Sequence, residues 1–283
     1  MKQRICDFIL KWTELNLTTG CTITDLESLT GYSGKTLQRW FRERYGMTPA
    51  EYLYRSRMTR AAILLRMTSL PVTEVAEIFH YYSSQNFSRA FVHFSGLTPS
   101  EYRDHSEWFC EALQPSLFID KARYTNWSVC ELPHLCIKGK EILYTDYILN
   151  SSMNHKIFSF IKNTVKEFGN NGKNDVHLAG IANKPSNLSI GRKDSIEVNL
   201  YTGRLVEPEK PHNVDIPGGC FIRWEFSGTW NDYIFFSKSA GLMLTHGTKM
   251  RRRVGYDYIH FHPAPDSEPQ TEVICDMYIP VTI

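Results

Sequence analysis

The 21 residues from Tyr32 to Tyr52 return fifty positions later as Tyr82 to Tyr102, with nine of the 21 positions identical. The shared residues are Tyr32/Tyr82, Ser33/Ser83, Arg39/Arg89, Phe41/Phe91, Gly46/Gly96, Thr48/Thr98, Pro49/Pro99, Glu51/Glu101 and Tyr52/Tyr102. Chance supplies about one match in such a window, so one structural unit is used twice. Each copy reads as a short helix, a turn and a second helix. After Ser33, an N-cap residue type, apolar side chains fall at Leu37, Trp40, Phe41 and Tyr45, the spacing of one helical stripe. After Ser83 the stripe is Phe87, Ala90, Phe91 and Phe94. The opposite faces carry Lys35, Gln38, Arg39 and Arg42 in the first copy, and Ser84, Gln85, Asn86, Ser88 and Arg89 in the second.

Those side chains match base edges: arginine fits O6/N7 of guanine, and asparagine or glutamine fits N6/N7 of adenine. A single solvated helix also carries such residues without any function. It is their recurrence on a duplicated unit that favours a pair of DNA readers. The preceding helices agree, since Thr24 with Glu27 has the spacing of a capping box and Val72-Thr73-Glu74 opens the second copy in the same way. Gly31 supplies the first turn. The second turn is one residue longer and puts His80 where glycine is expected, so a positive φ there would be strained. Between the copies, residues 50–67 read as a long helix bearing Arg55, Arg57, Arg60 and Arg66, expected to hold phosphates. A rigid connector of this kind lets one chain place two recognition helices in successive major-groove segments, about 34 Å apart on one face of the duplex.

From about residue 5 to 104 the chain resembles the AraC/XylS-type DNA-binding domain, in the Rob-type subgroup. Gly31-Tyr32-Ser33, Leu37-Gln38-Arg39 and Phe41 carry the likeness in the first reader. Ser83, Gln85, Phe87-Ser88-Arg89-Ala90-Phe91, Gly96-Leu97-Thr98-Pro99 and Tyr102-Arg103 carry it in the second. The resemblance implies that Lys35, Gln38 and Arg39, and Ser84, Gln85, Asn86 and Arg89, face bases; Arg42 joins them as a further DNA-contacting residue. Two positions depart from the subgroup: Lys35 stands where tryptophan is frequent, and Glu27 where a small residue is usual.

A chain of 283 residues with 42% hydrophobic content can fill two cores. The expected organisation is an all-α double helix-turn-helix domain over residues 1–107, a linker over 108–126, and an α+β domain over 127–283. Residues 1–107 carry 13 Lys+Arg against 11 Asp+Glu, within a whole-chain net charge of +2. So weak a field excludes a non-specific nucleic-acid coat and leaves binding to local clusters. Seven cysteines, odd in number, scattered and without a C-x-x-C pair, read as reduced cytoplasmic thiols. The first residues show helical periodicity rather than an export signal, and no apolar run approaches the ~18 residues of a membrane span.

In the second half, strand-like runs at 134–140, 176–182, 195–201, 219–226, 256–261 and 271–279 are interrupted by two helical patterns. The first helix carries Ile157, Phe158, Ile161, Val165 and Phe168 and stops at residues 169–172; the second begins near Thr229 and includes Ile234, Phe235, Leu242 and Leu244. The order is strand-helix-strand-strand, twice, which predicts two halves packed side by side. This half resembles the GyrI-like effector-binding domain through Gly218-Gly219 with residues 221–226, through Arg251-Arg252-Arg253-Val254-Gly255, and through residues 276–281. The resemblance implies a cleft for a hydrophobic or cationic effector, with Tyr201, Trp224, Glu225 and Trp230 as candidate contacts. His260 and His262 share a strand face, but the sequence offers no third ligand, so no metal and no cofactor are expected. Nucleophile elbow, Walker and dinucleotide motifs are absent, and no enzymatic activity is expected.

These features describe a bacterial, cytoplasmic and nucleoid-associated transcription regulator. It is expected to bind double-stranded DNA as a monomer, to act as an activator contacting RNA polymerase, and to have no membrane partner. The alternative is a DNA-binding protein whose second domain is a structural or protein-interaction module without a ligand.

Overall fold

Hydroxyl caps and left-handed glycines fix the ends of the repeated helices. The computed structural model describes residues 1–106, 108–109, 111–117, 126–149, 155–170, 175–183, 194–243, 250–263 and 272–282. The chain divides into two compact units, Met1–Asp120 and Lys121–Ile283.

The described helices of the first unit are α1 (Lys2–Leu15), α2 (Ile23–Thr30), α3 (Gly34–Tyr45), α4 (Pro49–Met67), α5 (Val72–Ile78), α6 (Ser84–Ser95) and α7 (Pro99–Asp104). Ser33 Oγ accepts from the Thr36 amide at 3.4 Å, and Ser83 Oγ from the Asn86 amide at 3.2 Å. Thr48 and Thr98 cap α4 and α7 through the amides of Glu51 and Glu101, while Gly46 and Gly96 end α3 and α6 at φ 75° and 80°. The duplication is therefore kept in the caps of the readers and of the helices that follow them, each hydroxyl N-cap worth roughly 0.5–2 kcal/mol. It is not kept in the helices before them, since α5 begins at Pro71 without the side-chain cap expected from Thr73.

Leu37, Phe41, Phe87 and Phe91 are fully buried, as the stripes predict. Phe41 packs on Tyr52 and Phe91 on Tyr102, so each reader is seated on the helix that follows it. At the start of α2 the capping box differs from the expected Thr24/Glu27 pair. Thr22 is the N-cap, and its amide donates to Asp25 Oδ2 at 2.6 Å. Two overlapping T-x-x-D/E spacings occur here, and the helix begins earlier than the hydrophobic pattern suggests.

Part of the segment expected as a linker packs on this unit: Leu113 is buried, the Gln114 amide donates to Thr59 Oγ1 at 2.8 Å, and the Leu117 amide to the Tyr52 hydroxyl at 3.2 Å. Residues 118–125 lie outside the described residues.

The second unit is a curled antiparallel sheet with helices on one face. Its described elements are β1 (Trp127–Leu132), β2 (Leu135–Tyr147), α8 (His155–Asn170), β3 (Val176–Asn183), β4 (Ser195–Val206), β5 (Val214–Ile216), β6 (Gly219–Gly228), α9 (Trp230–Met243), β7 (Arg251–Arg252), β8 (Asp257–His262) and β9 (Val273–Thr282). The sheet order is β1-β6-β9-β8-β3-β4-β2-β5, with β7 on β9. Strand-helix-strand-strand occurs twice, as β2-α8-β3-β4 and β6-α9-β8-β9, and the halves join where β3 pairs with β8. The stop expected at residues 169–172 agrees with the end of α8 at Asn170; residues 171 and 172, and Leu244 of the second helical pattern, fall outside the described residues.

Strand alternation sends the two sheet faces to different fates. Phe226 and Phe261 pack under α9 against Tyr233, and Phe226 also stacks on Phe236. On the other face the curl gathers Ile137 of β2 and Val214 and Ile216 of β5 with Phe221 of β6 and Tyr258 of β8. Among the described residues no helix is long and apolar enough to cross a membrane.

Candidate nucleic-acid interface and effector face

The buried stripe of α3 leaves Lys35, Gln38, Arg39 and Arg42 exposed together on its opposite side. On α6, Gln85, Asn86 and Arg89 are exposed while Ser84 is half-buried. Ser88, also half-buried, donates its hydroxyl hydrogen back to the Ser84 carbonyl at 2.8 Å. Among the described residues, none of Lys35, Arg39, Arg42 and Arg89 is held in a salt bridge. Their charges are free to meet an external anion. The first reader presents three cations and one amide; the second presents one cation and two amides.

The connector arginines behave otherwise than expected. Arg57 is turned inward, and its guanidinium donates to the carbonyls of Asn16, Leu17, Thr19 and Cys21 at 2.7 to 3.3 Å. Burial lowers its pKa. Arg66 likewise donates to the carbonyls of Tyr102, Arg103 and His105, and Arg60 lies 3.7 Å from Glu14. These three arginines therefore satisfy the protein's own polar groups. A run of arginines on a helix reads as a phosphate clamp only while the neighbouring loops are invisible.

Two guanidinium clamps hold segments that lead into the readers. Arg57 clamps the loop leading into α2, and Arg103, donating to the carbonyls of Leu65 and Leu70, clamps the chain leading into α5. His80 carries the positive φ, 59°, that its place in the turn requires; no other described non-glycine residue has one. Its Nε2 lies 3.0 Å from the Thr18 carbonyl, an acceptor, so this nitrogen carries the hydrogen.

In the second unit the sequence-predicted contacts divide between opposite faces. Trp224 and Trp230 are core residues, 5% and 2% exposed. Trp230 packs against Phe158, Tyr233 and Phe261 on the helix-covered side. Adjacent strand residues point opposite ways, so Trp224 and Glu225 cannot line one cleft. Tyr201 and Glu225 lie on the helix-free face. Cross-strand register places Glu141, Tyr201, Ala179, Tyr258, Tyr278 and Arg223 in one row across six strands.

The next row on this face contains His177, His260, Asp276 and Glu225. Arg223 Nη2 reaches both Asp276 oxygens, at 3.1 and 3.0 Å, and Glu225 at 3.2 Å. His262 Nε2 is 2.9 Å from Asp276 Oδ2, and His260 Nε2 is 3.2 Å from Asp175. The fold thus brings an acid to His260 and His262 that no local spacing announces. Burial first, and then the adjacent His260, pull the His177 pKa down to about 4, so that ring is neutral at pH 7. Tyr201 donates to Glu141 at 2.8 Å; that bond, followed by burial, pushes the phenol up to about 12.

A family model described as a helix-turn-helix domain matches residues 26–105. Over 289 residues the chain is 25% identical to the right origin-binding protein of Escherichia coli K12, covering 96% of each. It is also 25% identical over 292 residues to the transcriptional regulator Rob of Salmonella typhimurium, again covering 96% of each chain. The HTH-type transcriptional activator AarP of Providencia stuartii is 39% identical over 95 residues, which are 34% of this chain and 70% of that one.

Proposed function

As the chain belongs to the AraC-type helix-turn-helix transcription regulators and has Rob-like relatives along its full length, we propose that it reads an asymmetric DNA site with both helices at once. The observation that carries this reading is the pair of identically capped helices in one unit, each with its polar face exposed. Lys35, Gln38, Arg39 and Arg42 of α3 and Gln85, Asn86 and Arg89 of α6 reach base edges and flanking phosphates, with Ser84 at the helix start. One chain carries two readers, so it binds as a monomer, in the cytoplasm, where it activates transcription through contact with RNA polymerase. Its action is binding without catalysis, as the regulator relatives suggest.

Arg39→Ala and Arg89→Ala test the reading in quantitative footprinting. Each bidentate arginine–guanine pair is worth about 1–3 kcal/mol, so each variant should lose discrimination at a different half-site. Identical losses from both variants, at the same bases, would exclude a bipartite reader.

The second unit is the sensing part, a GyrI-like domain whose helix-free face takes a hydrophobic or cationic compound. Support comes from the half-buried Tyr201 and Tyr278, which share a row with Glu141 on that face, backed by the buried Tyr258 between them and with Glu225 in the next row. A panel of hydrophobic cations should raise the melting temperature of the full chain, and Tyr201→Ala should weaken that shift. If no compound stabilises it, the unit is a structural or protein-interaction module.

A further inference from the structure

We propose that His134, Cys136, His212 and Asp215 form a binding site for a divalent zinc-type ion at the β2–β5 edge of the second unit. Cys136 and Asp215 are cross-strand partners in the β2–β5 pair. His134 precedes Cys136 by two residues, and His212 lies three residues before Asp215. The other three side chains converge on one oxygen of Asp215. Asp215 Oδ1 is 2.8 Å from His134 Nε2, 3.1 Å from His212 Nε2 and 3.5 Å from Cys136 Sγ, with His134 Nε2 and Cys136 Sγ 4.0 Å apart. Ligands bonded at about 2.0–2.3 Å in a tetrahedron stand roughly 3.3–3.8 Å from each other, so small side-chain shifts admit an ion. One sulfur, two imidazole nitrogens and one carboxylate make a borderline-soft donor set that suits zinc and not magnesium or calcium.

An independent detail concerns His212. Its Nδ1 lies 2.8 Å from the Lys210 carbonyl, which can only accept, so Nδ1 carries a hydrogen. A neutral ring then turns the bare lone pair of Nε2 toward Asp215, itself an acceptor 3.1 Å away. A positive charge between them, either a proton or a metal ion, resolves that confrontation. Backbone carbonyls orient metal-bound histidines in this way. Alternation puts Cys136 and Asp215 on the sheet face opposite Ile137, Val214 and the tyrosine row, so this site and the effector face are separate. His134 and Asp215 are exposed, which leaves the ion a path from solvent, and a bound ion would staple the three-residue β5 to β2.

The test uses the full chain, freed of metal with a chelator and titrated with Zn2+ by calorimetry. The expected result is one Zn2+ per chain, a higher melting temperature, and a sulfur-to-metal charge-transfer band with Co2+. Cys136→Ser should abolish the band and weaken Zn2+ binding by more than the roughly 10–100-fold that loss of an outer partner costs, and His212→Ala should weaken it similarly. His134→Ala, at an exposed position, gives the same reading should the cysteine variant fold poorly. His260→Ala should leave stoichiometry unchanged. Equal Zn2+ binding by the wild type and the four-residue variants, loss that follows His260 instead, or a His212–Asp215 ion pair that binds no metal would each overturn the proposal.

Discussion

The two readers share a frame and differ in three buried or strained details, and the differences come in matched sets. In the first, Tyr32 sits edge-on to Trp40 with ring centroids 4.9 Å apart. In the second, Ala90 replaces the tryptophan and the repeated Tyr82 stands 97% exposed. Glu27 of the first reader lies against Gly34, where an added Cβ would collide with its Oε1. The second reader has Ala76 and Ser84 at the corresponding places. Gly31 makes the first turn at φ 72°, and His80, tethered to Thr18, makes the second. A duplicated motif can vary inside only when the partner position changes with it, whereas its exposed face is free to diverge.

The largest effect should come from the arginine clamps. Arg57→Ala strands four carbonyls that lose a charged donor, so it should cost about 3 kcal/mol in chemical denaturation, and Arg103→Ala, with two carbonyls, about half as much. Were Arg57→Ala instead to leave stability intact and weaken DNA of every sequence, the guanidinium would be a phosphate contact after all.

Next in size is the tyrosine pair. Tyr32→Ala should cost about 2 kcal/mol by removing a half-buried aromatic, whereas Tyr82→Ala should leave stability within about 0.5 kcal/mol of the wild type. Equal melting temperatures for both variants would erase the contrast between the readers.

Gly34→Ser places the second reader's residue in the first and should cost about 1 kcal/mol, because the Glu27 carboxylate must move. Glu27→Ala in the same chain should recover most of it, a coupling that a double-mutant cycle measures directly. Additive losses would mean that the two positions are independent.

Last come the turns, where one change matches that loss and the other is the smallest effect of all. Gly31→Ala should destabilise by about 1 kcal/mol, since its φ is left-handed. His80→Gly relieves the same strain but forfeits the Thr18 bond, so it should be nearly neutral. Comparable losses at both turns would show that the histidine tether contributes more than its single bond suggests.

Much of this was legible without coordinates. The reader stripes, the positive φ at His80 and six strands, β2, β3, β4, β6, β8 and β9, follow from periods of 3.6 and 2 and from an unusual residue in a turn. By contrast β1, six residues long like β8, has no counterpart among the expected runs. β5 and β7, with three and two residues, are too short for any alternation to register. Trp224 and Trp230 were expected at a ligand because they are aromatic, yet which face of β6 meets the helices depends on α9, not on β6 itself. Arg57 misled because its partners lie 36 to 41 residues away in a loop.

The one-dimensional pattern was enough to determine the duplication, the polar faces of two reading helices and the doubled strand-helix-strand-strand order, since each depends on neighbours within a few residues. Tertiary structure alone decided the direction of Arg57, the burial of the tryptophans, and the meeting of Cys136 with Asp215 across 79 residues. The physical reason is that a helix face is set by local periodicity. A cross-strand neighbour is set by register, and register is settled only when the whole sheet closes.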